Sequence, residues 1–151
     1  MRLLNKFRSV LHVPENLDKP ICILHLSFPD FLLQTKSPFH VDKAKTHEKL
    51  ASCCFCTMDD SLRQNICHLP SYGTEREMIG DQVPPADLQY SCQYWAQHLK
   101  NSSSISLIER AYNFLKTHFL HWMEAMNLLG LGSDVVGIID MLQLIVQVNF
   151  L

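Results

Sequence analysis

The stretch Ser106–Gly130, SLIERAYNFLKTHFLHWMEAMNLLG, decides the fold class. Ile108, Tyr112, Leu115, Phe119, Trp122, Met126 and Leu129 alternate four and three residues apart, the period that lines one face of an α-helix. Ser106 and Glu109 have capping-box spacing at its start, and Gly130 tolerates the left-handed conformation that ends helices. The reading is a long, one-sided packing helix, and its neighbours repeat the pattern. Upstream, Pro84 and Pro85 suit a helix entrance, and Leu88, Cys92, Trp95 and Leu99 recur at helical spacing until Asn101 and the serine triplet end the run. Downstream, from Ser133, a last helix is apolar all round except for Asp140, Gln143 and Gln147. Such a helix is either deeply buried or waiting for a partner.

Working back toward the N-terminus, Asp42 can cap a helix running to about Met58, with Ala44, His47, Ala51, Cys54 and Met58 on one stripe. Ser61–Cys67 reads as a short helix, and LPSYGTEREMIGDQVPP after it carries the turn residues of a connection. The chain opens with two extended runs, Phe7–Val13 and Ile21–Leu26, joined by PENLDKP as a hairpin with a long loop. In SFPDFLLQ, Ser27 and Asp30 again have capping-box spacing, and Leu26 can pack on Phe31 as a staple. A helix then begins at Phe28 and holds Pro29 in its tolerant first turn, before a linker at Thr35–His40. The fold class is mainly α, a short N-terminal β-hairpin followed by an α-helical bundle-like segment. The division is residues 1–38 and 39–151, with a loop at about 59–83.

At 151 residues the chain can bury a core without metal or disulfide staples. Its 13 basic and 15 acidic residues nearly cancel, and no basic run builds a face for nucleic acid or an anionic membrane. The six cysteines follow no apolar secretory leader, so they read as reduced thiols of a cytoplasmic protein. Val135–Leu151 is interrupted by polar residues and falls short of the ~20 that span a bilayer, which argues against a membrane span.

The candidate site residues are few. His25 lies two residues before the Ser27 cap, at a helix mouth whose free N–H groups favour anions. An imidazole N–H can donate to a phosphate oxygen; the plainer role is a strand-end histidine bonded to backbone. Cys53, Cys54 and Cys56, with Cys67 and His68, contain a C-x-x-C spacing that could begin a zinc site. They lie in a helical pattern without a second such pair, so no metal ligand is assigned. Trp95, Trp122, Tyr94 and Tyr112 read as packing residues. The sequence has no G-x-x-x-x-G-K-[ST] loop, H-E-x-x-H helix or G-x-S-x-G elbow, so the expectation is no enzyme activity and no catalytic residue.

The string SVLHVPENLDKPICILHLSFPDFLLQ, at residues 9–34, closely resembles the end of the winged-helix module in fungal NACHT ATPases, NLR-like switches that include the vegetative-incompatibility type with WD-repeat propellers. The likeness continues through FHVDKAKTHEKLASCCFCTM, DLQYSCQYWAQHLKNS and FLKTHFLHWMEAMNLLG, which look like the helices after the winged helix; it spans Leu11 to Ile145. The resemblance implies an intracellular ADP/ATP switch that oligomerises when open. It makes residues 1–38 the C-terminal part of a winged helix, and His25 in ILHLSFPDF the histidine that contacts the ADP phosphate. Ser27, Phe28, Asp30 and Phe31 match the structural part of that pattern, while Pro29 departs from the basic residue often found there. Implied partners are a NACHT ATPase core and a WD-repeat propeller, with another protein possible through the last helix. No cofactor is expected of this chain in isolation. Two alternatives stay open: a stand-alone helical adaptor, or a truncated, nonfunctional remnant.

Overall fold

The computed structural model describes residues 7–14, 19, 21–34, 39–69 and 83–150. The chain is mainly helical with a small antiparallel hairpin, and it divides into two compact units, Met1–Asp42 and Lys43–Leu151.

In the first unit, β1 (Leu11–His12) pairs with β2 (Cys22–Ile23), Leu11 opposite Ile23 and His12 opposite Cys22. The hairpin is shorter than the two apolar runs predict. Phe7–Val10 curls into a turn closed by Val10 N–H on the Phe7 carbonyl at 2.9 Å. The curl carries the Phe7 ring to Phe28 (5.6 Å) and Phe39 (5.4 Å), so the aromatic cluster takes this segment out of the strand. α1 spans Ser27–Gln34 and buries Phe28, with Pro29 in its first turn. The Leu26 staple does not form: Leu26 is 92% exposed. Val41 N–H donates to the Leu32 carbonyl at 3.0 Å, returning the chain to α1. Residues 15–18 and 20 of the hairpin loop and 35–38 of the linker lie outside the described residues.

The second unit contains α2 (Lys43–Ser61), α3 (Ala86–Lys100), α4 (Ile105–Leu128) and α5 (Asp134–Phe150), with α3 packed against all three others. α2 starts directly after Asp42 and runs three residues past Met58; Ala51, Cys54 and Met58 of its predicted stripe are buried, joined by Phe55. α3 starts after Pro85 and is capped by Asn101, and Leu88, Cys92, Trp95 and Leu99 are all buried. The core centres on aromatics from three helices. Trp95 lies 5.3 Å from Phe55, 5.5 Å from Phe114 and 5.9 Å from Trp122, whose indole N–H donates to the Cys92 carbonyl at 3.0 Å.

Three expectations change here. Ser61–Cys67 is not a helix: after Ser61 the chain turns at residues 64–67, because Asn65 takes a left-handed φ of 55° and clasps Leu69 with its side chain. Residues 70–82 of the following connection lie outside the described residues. α4 begins at Ile105 with Ser104 as N-cap, so Ser106 sits inside the helix, its hydroxyl 3.0 Å from that of Ser104, and the capping box with Glu109 is displaced. The α4 face that turns inward is Leu107, Ala111, Phe114, Trp122, Ala125 and Met126; Trp122 and Met126 of the expected stripe are buried, while its Tyr112 is 63% exposed. Gly130 ends the helix as its spacing indicates. At φ 74° it donates to the Asn127 carbonyl at 2.9 Å while Leu131 N–H reaches Met126 at 2.8 Å, the paired bonds of a Schellman motif.

α5 answers the question its composition poses. One face covers the core with Val135 and Ile138, backed by Ile139, Met141, Leu142 and Ile145; the other leaves Val136, Leu144 and Val148 exposed.

Candidate functional site

His25 stands between β2 and α1, exposed, in the first unit. Its carbonyl accepts from Phe28 N–H at 3.1 Å, closing the turn into the helix. Its Nδ1 lies 3.3 Å from the Ser27 N–H, which donates to it, and 2.7 Å from the Ser27 hydroxyl. A ring nitrogen that accepts from a backbone N–H cannot carry the proton of the neutral imidazole, so the proton sits on Nε2. Ser27, read as a cap for the helix, instead orients the histidine and leaves Nε2–H as an exposed donor. On the hairpin of the same unit, a cleft of about 680 Å³ is lined by Arg8, His12 and Lys19 together with Leu11, Val13, Pro14 and Leu24, the residue before His25. Its three nitrogen-bearing side chains are of the kind that recognises an anion. Periodicity gives no sign of this cleft, because the three are dispersed along the strands and loop.

All six cysteines are free thiols. The C-x-x-C pair Cys53 and Cys56 is exposed on α2, whereas Cys54 turns into the core and Cys67 is buried in the turn beyond. Among the described residues no group of three or more His, Cys, Asp or Glu is placed to hold a metal ion. Burial pushes the Cys54 and Cys67 thiols up, and raises Cys92, with Cys54 beside it, to about 12. Deeply protonated thiols are packing groups rather than nucleophiles. Cys56 lies 3.3 Å from an Arg110 nitrogen that also reaches Asp59 at 3.5 Å, and the guanidinium sits 5.4 Å over the Phe55 ring. Arg110 is held above its ordinary range first by its bond to Cys56, and the cluster ties α4 to α2. Trp95 and Trp122 pack in the core as expected, but Tyr94 and Tyr112 are exposed, Tyr94 against Tyr90 at 5.0 Å.

Two polar devices escaped sequence reasoning. Glu124 on α4 accepts from Asn65 N–H at 3.1 Å and from Ile66 N–H at 3.2 Å, pinning the turn after α2. His47 on α2 meets His98 on α3, Nδ1 to Nδ1 at 2.8 Å, and His98 Nε2 is 2.8 Å from the Tyr90 hydroxyl. His47 has its place on the α2 stripe, but nothing local pairs it with a residue 51 positions away.

The exposed side of α5 is flanked by apolar depressions. One of about 220 Å³ is walled by Leu99, Ile108, Met141, Leu144, Ile145 and Val148, with Lys100 and Ser102, Ser103 and Ser104 at its polar side; another lies between Leu115 and Phe119 of α4 and Ile139, Leu142 and Val146 of α5. No helix among the described residues is long and apolar enough to cross a membrane.

The chain is similar to the vegetative incompatibility protein HET-E-1 of Podospora anserina, 27% identical over 151 aligned positions that cover 83% of this chain and 11% of that protein. A distant relationship follows. No family model matches the chain, and no solved structure matches it.

Proposed function

We propose that this chain is a non-catalytic regulatory and interaction segment of a NACHT-type signalling ATPase, in which His25 donates a hydrogen bond to the phosphate of bound ADP and favours the closed state. The observation that carries this reading is the clasp of Ser27 on His25 Nδ1, at 3.3 Å from the amide and 2.7 Å from the hydroxyl. It leaves Nε2–H as a donor at the mouth of α1, where a phosphate is electrostatically welcome. The cations Arg8 and Lys19 of the neighbouring cleft fit the same ligand. The sequence likeness to HET-E-1 supports the parent context, and the chain spans only 11% of that relative, so the ATPase core, the propeller and the switch are assigned to a longer parent. The sequence lacks a phosphate-binding loop, and hydrolysis belongs to that core.

The test uses a parent that carries such a loop ahead of this segment. His25→Ala removes a hydrogen bond to a charged group, about 1.5–3 kcal/mol, and weakens ADP binding by about tenfold to a hundredfold, with higher spontaneous activity. Unchanged ADP affinity in a folded variant rejects the sensor.

A second reading, a helical adaptor that binds protein through α5 without nucleotide, draws on the exposure of Val136 (64%), Leu144 (60%) and Val148 (83%). It predicts that the 151-residue chain binds an apolar dye such as anilinonaphthalene sulfonate. The double variant Leu144→Lys/Val148→Lys then lowers that signal about twofold or more at unchanged helicity. Equal dye binding by the two chains counts against an available α5 face.

A further inference from the structure

We infer that the Tyr90–His98–His47 chain is a pH-sensitive latch between α2 and α3, which holds while the two imidazoles are both neutral or share a single positive charge and opens when both rings are cations.

The inference starts from one contact. The two Nδ1 atoms are 2.8 Å apart, a hydrogen-bond distance that requires one of them to carry a proton and the other a lone pair. With both rings neutral, His98 donates from Nδ1 to His47 and accepts the Tyr90 hydroxyl on Nε2, or the whole chain runs in reverse; both contacts are satisfied either way. A first added proton is tolerated: whichever ring carries it donates from Nδ1 to the other, and His98 Nε2–H donates to the Tyr90 oxygen. A second proton leaves N–H facing N–H across the contact, and two cations repel where a hydrogen bond was.

The surroundings make this contact matter. His98 is 8% exposed, its ring 5.1 Å from His47 and 5.8 Å from Tyr90, within the packing of α2 on α3. The titratable groups that shift His98 and Tyr90 are His47 and Cys54 from α2 and Tyr94 from α3. Burial, and then the charge of His47, hold His98 below the ordinary histidine value of 6.5. The folded state therefore binds fewer protons than the unfolded one below that value. The latch contributes its full stability above about pH 6.5 and loses it as pH falls toward the folded value.

The test is hydrogen exchange on the 151-residue chain at pH 7.5 and 5.5, corrected for intrinsic rates. Protection of the α2 and α3 amides around His47 and His98 is expected to fall by about tenfold at the lower pH, and that of α4 by less. In His47→Gln, whose amide still reaches His98 but cannot take a proton, the fall shrinks to about threefold or less. Equal loss in wild type and variant, or no greater loss in α2 and α3 than in α4, overturns the latch. Long-range ¹H–¹⁵N spectra of the wild-type histidine rings decide the matter without a variant. At pH 7.5, one Nδ1 of this pair is protonated and the other is a hydrogen-bonded acceptor; finding both Nδ1 atoms unprotonated removes the bond on which the latch depends.

Discussion

Trp122→Ala lowers the unfolding free energy of the chain by about 3–5 kcal/mol, among the largest single losses expected from its core. Trp122 has no solvent exposure and touches Trp95 edge-on, with ring centroids 5.9 Å apart. Truncation forfeits that contact and opens a cavity between α3 and α4, which α3 cannot collapse into because it is also packed on α2 and α5. The indole adds a polar component: its N–H bonds the Cys92 carbonyl across the interface at 3.0 Å. Trp122→Phe keeps most of the apolar contact but loses the bond, and it costs about 1–3 kcal/mol from the lost bond and the smaller ring. Urea unfolding followed by circular dichroism distinguishes the two, with the midpoint moving in the order wild type, Phe, Ala and the slope held. An alanine variant within 1 kcal/mol of wild type would mean that Trp122 is not packed between these helices.

The two long helices show how far spacing alone reaches. On α3 the stripe Leu88, Cys92, Trp95 and Leu99 is legible because a proline pair and Asn101 bound it and the opposite face is polar, leaving one solution for the inward side. α4 has two apolar faces. Of the run that periodicity selects, Trp122 and Met126 enter the core, but Ile108, Leu115 and Phe119 pack only partly and line the side toward α5, while Leu107, Ala111 and Phe114, offset by one residue, are buried in their place. The small Ala111 and the competing Tyr112 hide the inner stripe from a count of large apolar residues. At the candidate site, His25 is legible from its position before SFPDF, but the role of Ser27 is not. Spacing makes it a helix cap, and only the fold turns its amide and hydroxyl onto the imidazole. Contacts such as His47 with His98 and Glu124 with Asn65 join residues more than fifty positions apart, where local periodicity carries no information.

Glu124→Ala is expected to cost about 2–3 kcal/mol and to loosen the turn after α2 selectively. The carboxylate accepts from two successive backbone amides, Asn65 at 3.1 Å and Ile66 at 3.2 Å, and its removal leaves both donors without that partner in a half-buried turn. The turn has little to replace it with. Asn65 and His68 already hold left-handed φ angles of 55° and 51°, conformations that a non-glycine residue keeps only when its surroundings hold it there. Glu124→Gln retains one acceptor oxygen and should recover about half of the loss. Cys67 gives a local readout. Its thiol is pushed up first by burial and second by the negative charge of Glu124, so removing the carboxylate both opens the turn and takes away one cause of the raised value. At a fixed pH near 8 the thiolate fraction of Cys67 then rises, and its reaction with a disulfide reagent should quicken in Glu124→Ala and less in Glu124→Gln. Labelling of Cys54, which sits in the core and does not depend on Glu124, stays slow and serves as the internal control. If Cys67 and Cys54 quicken together, the substitution has destabilised the whole unit and the carboxylate is no local clasp. If neither changes and stability holds, the two amides do not depend on Glu124.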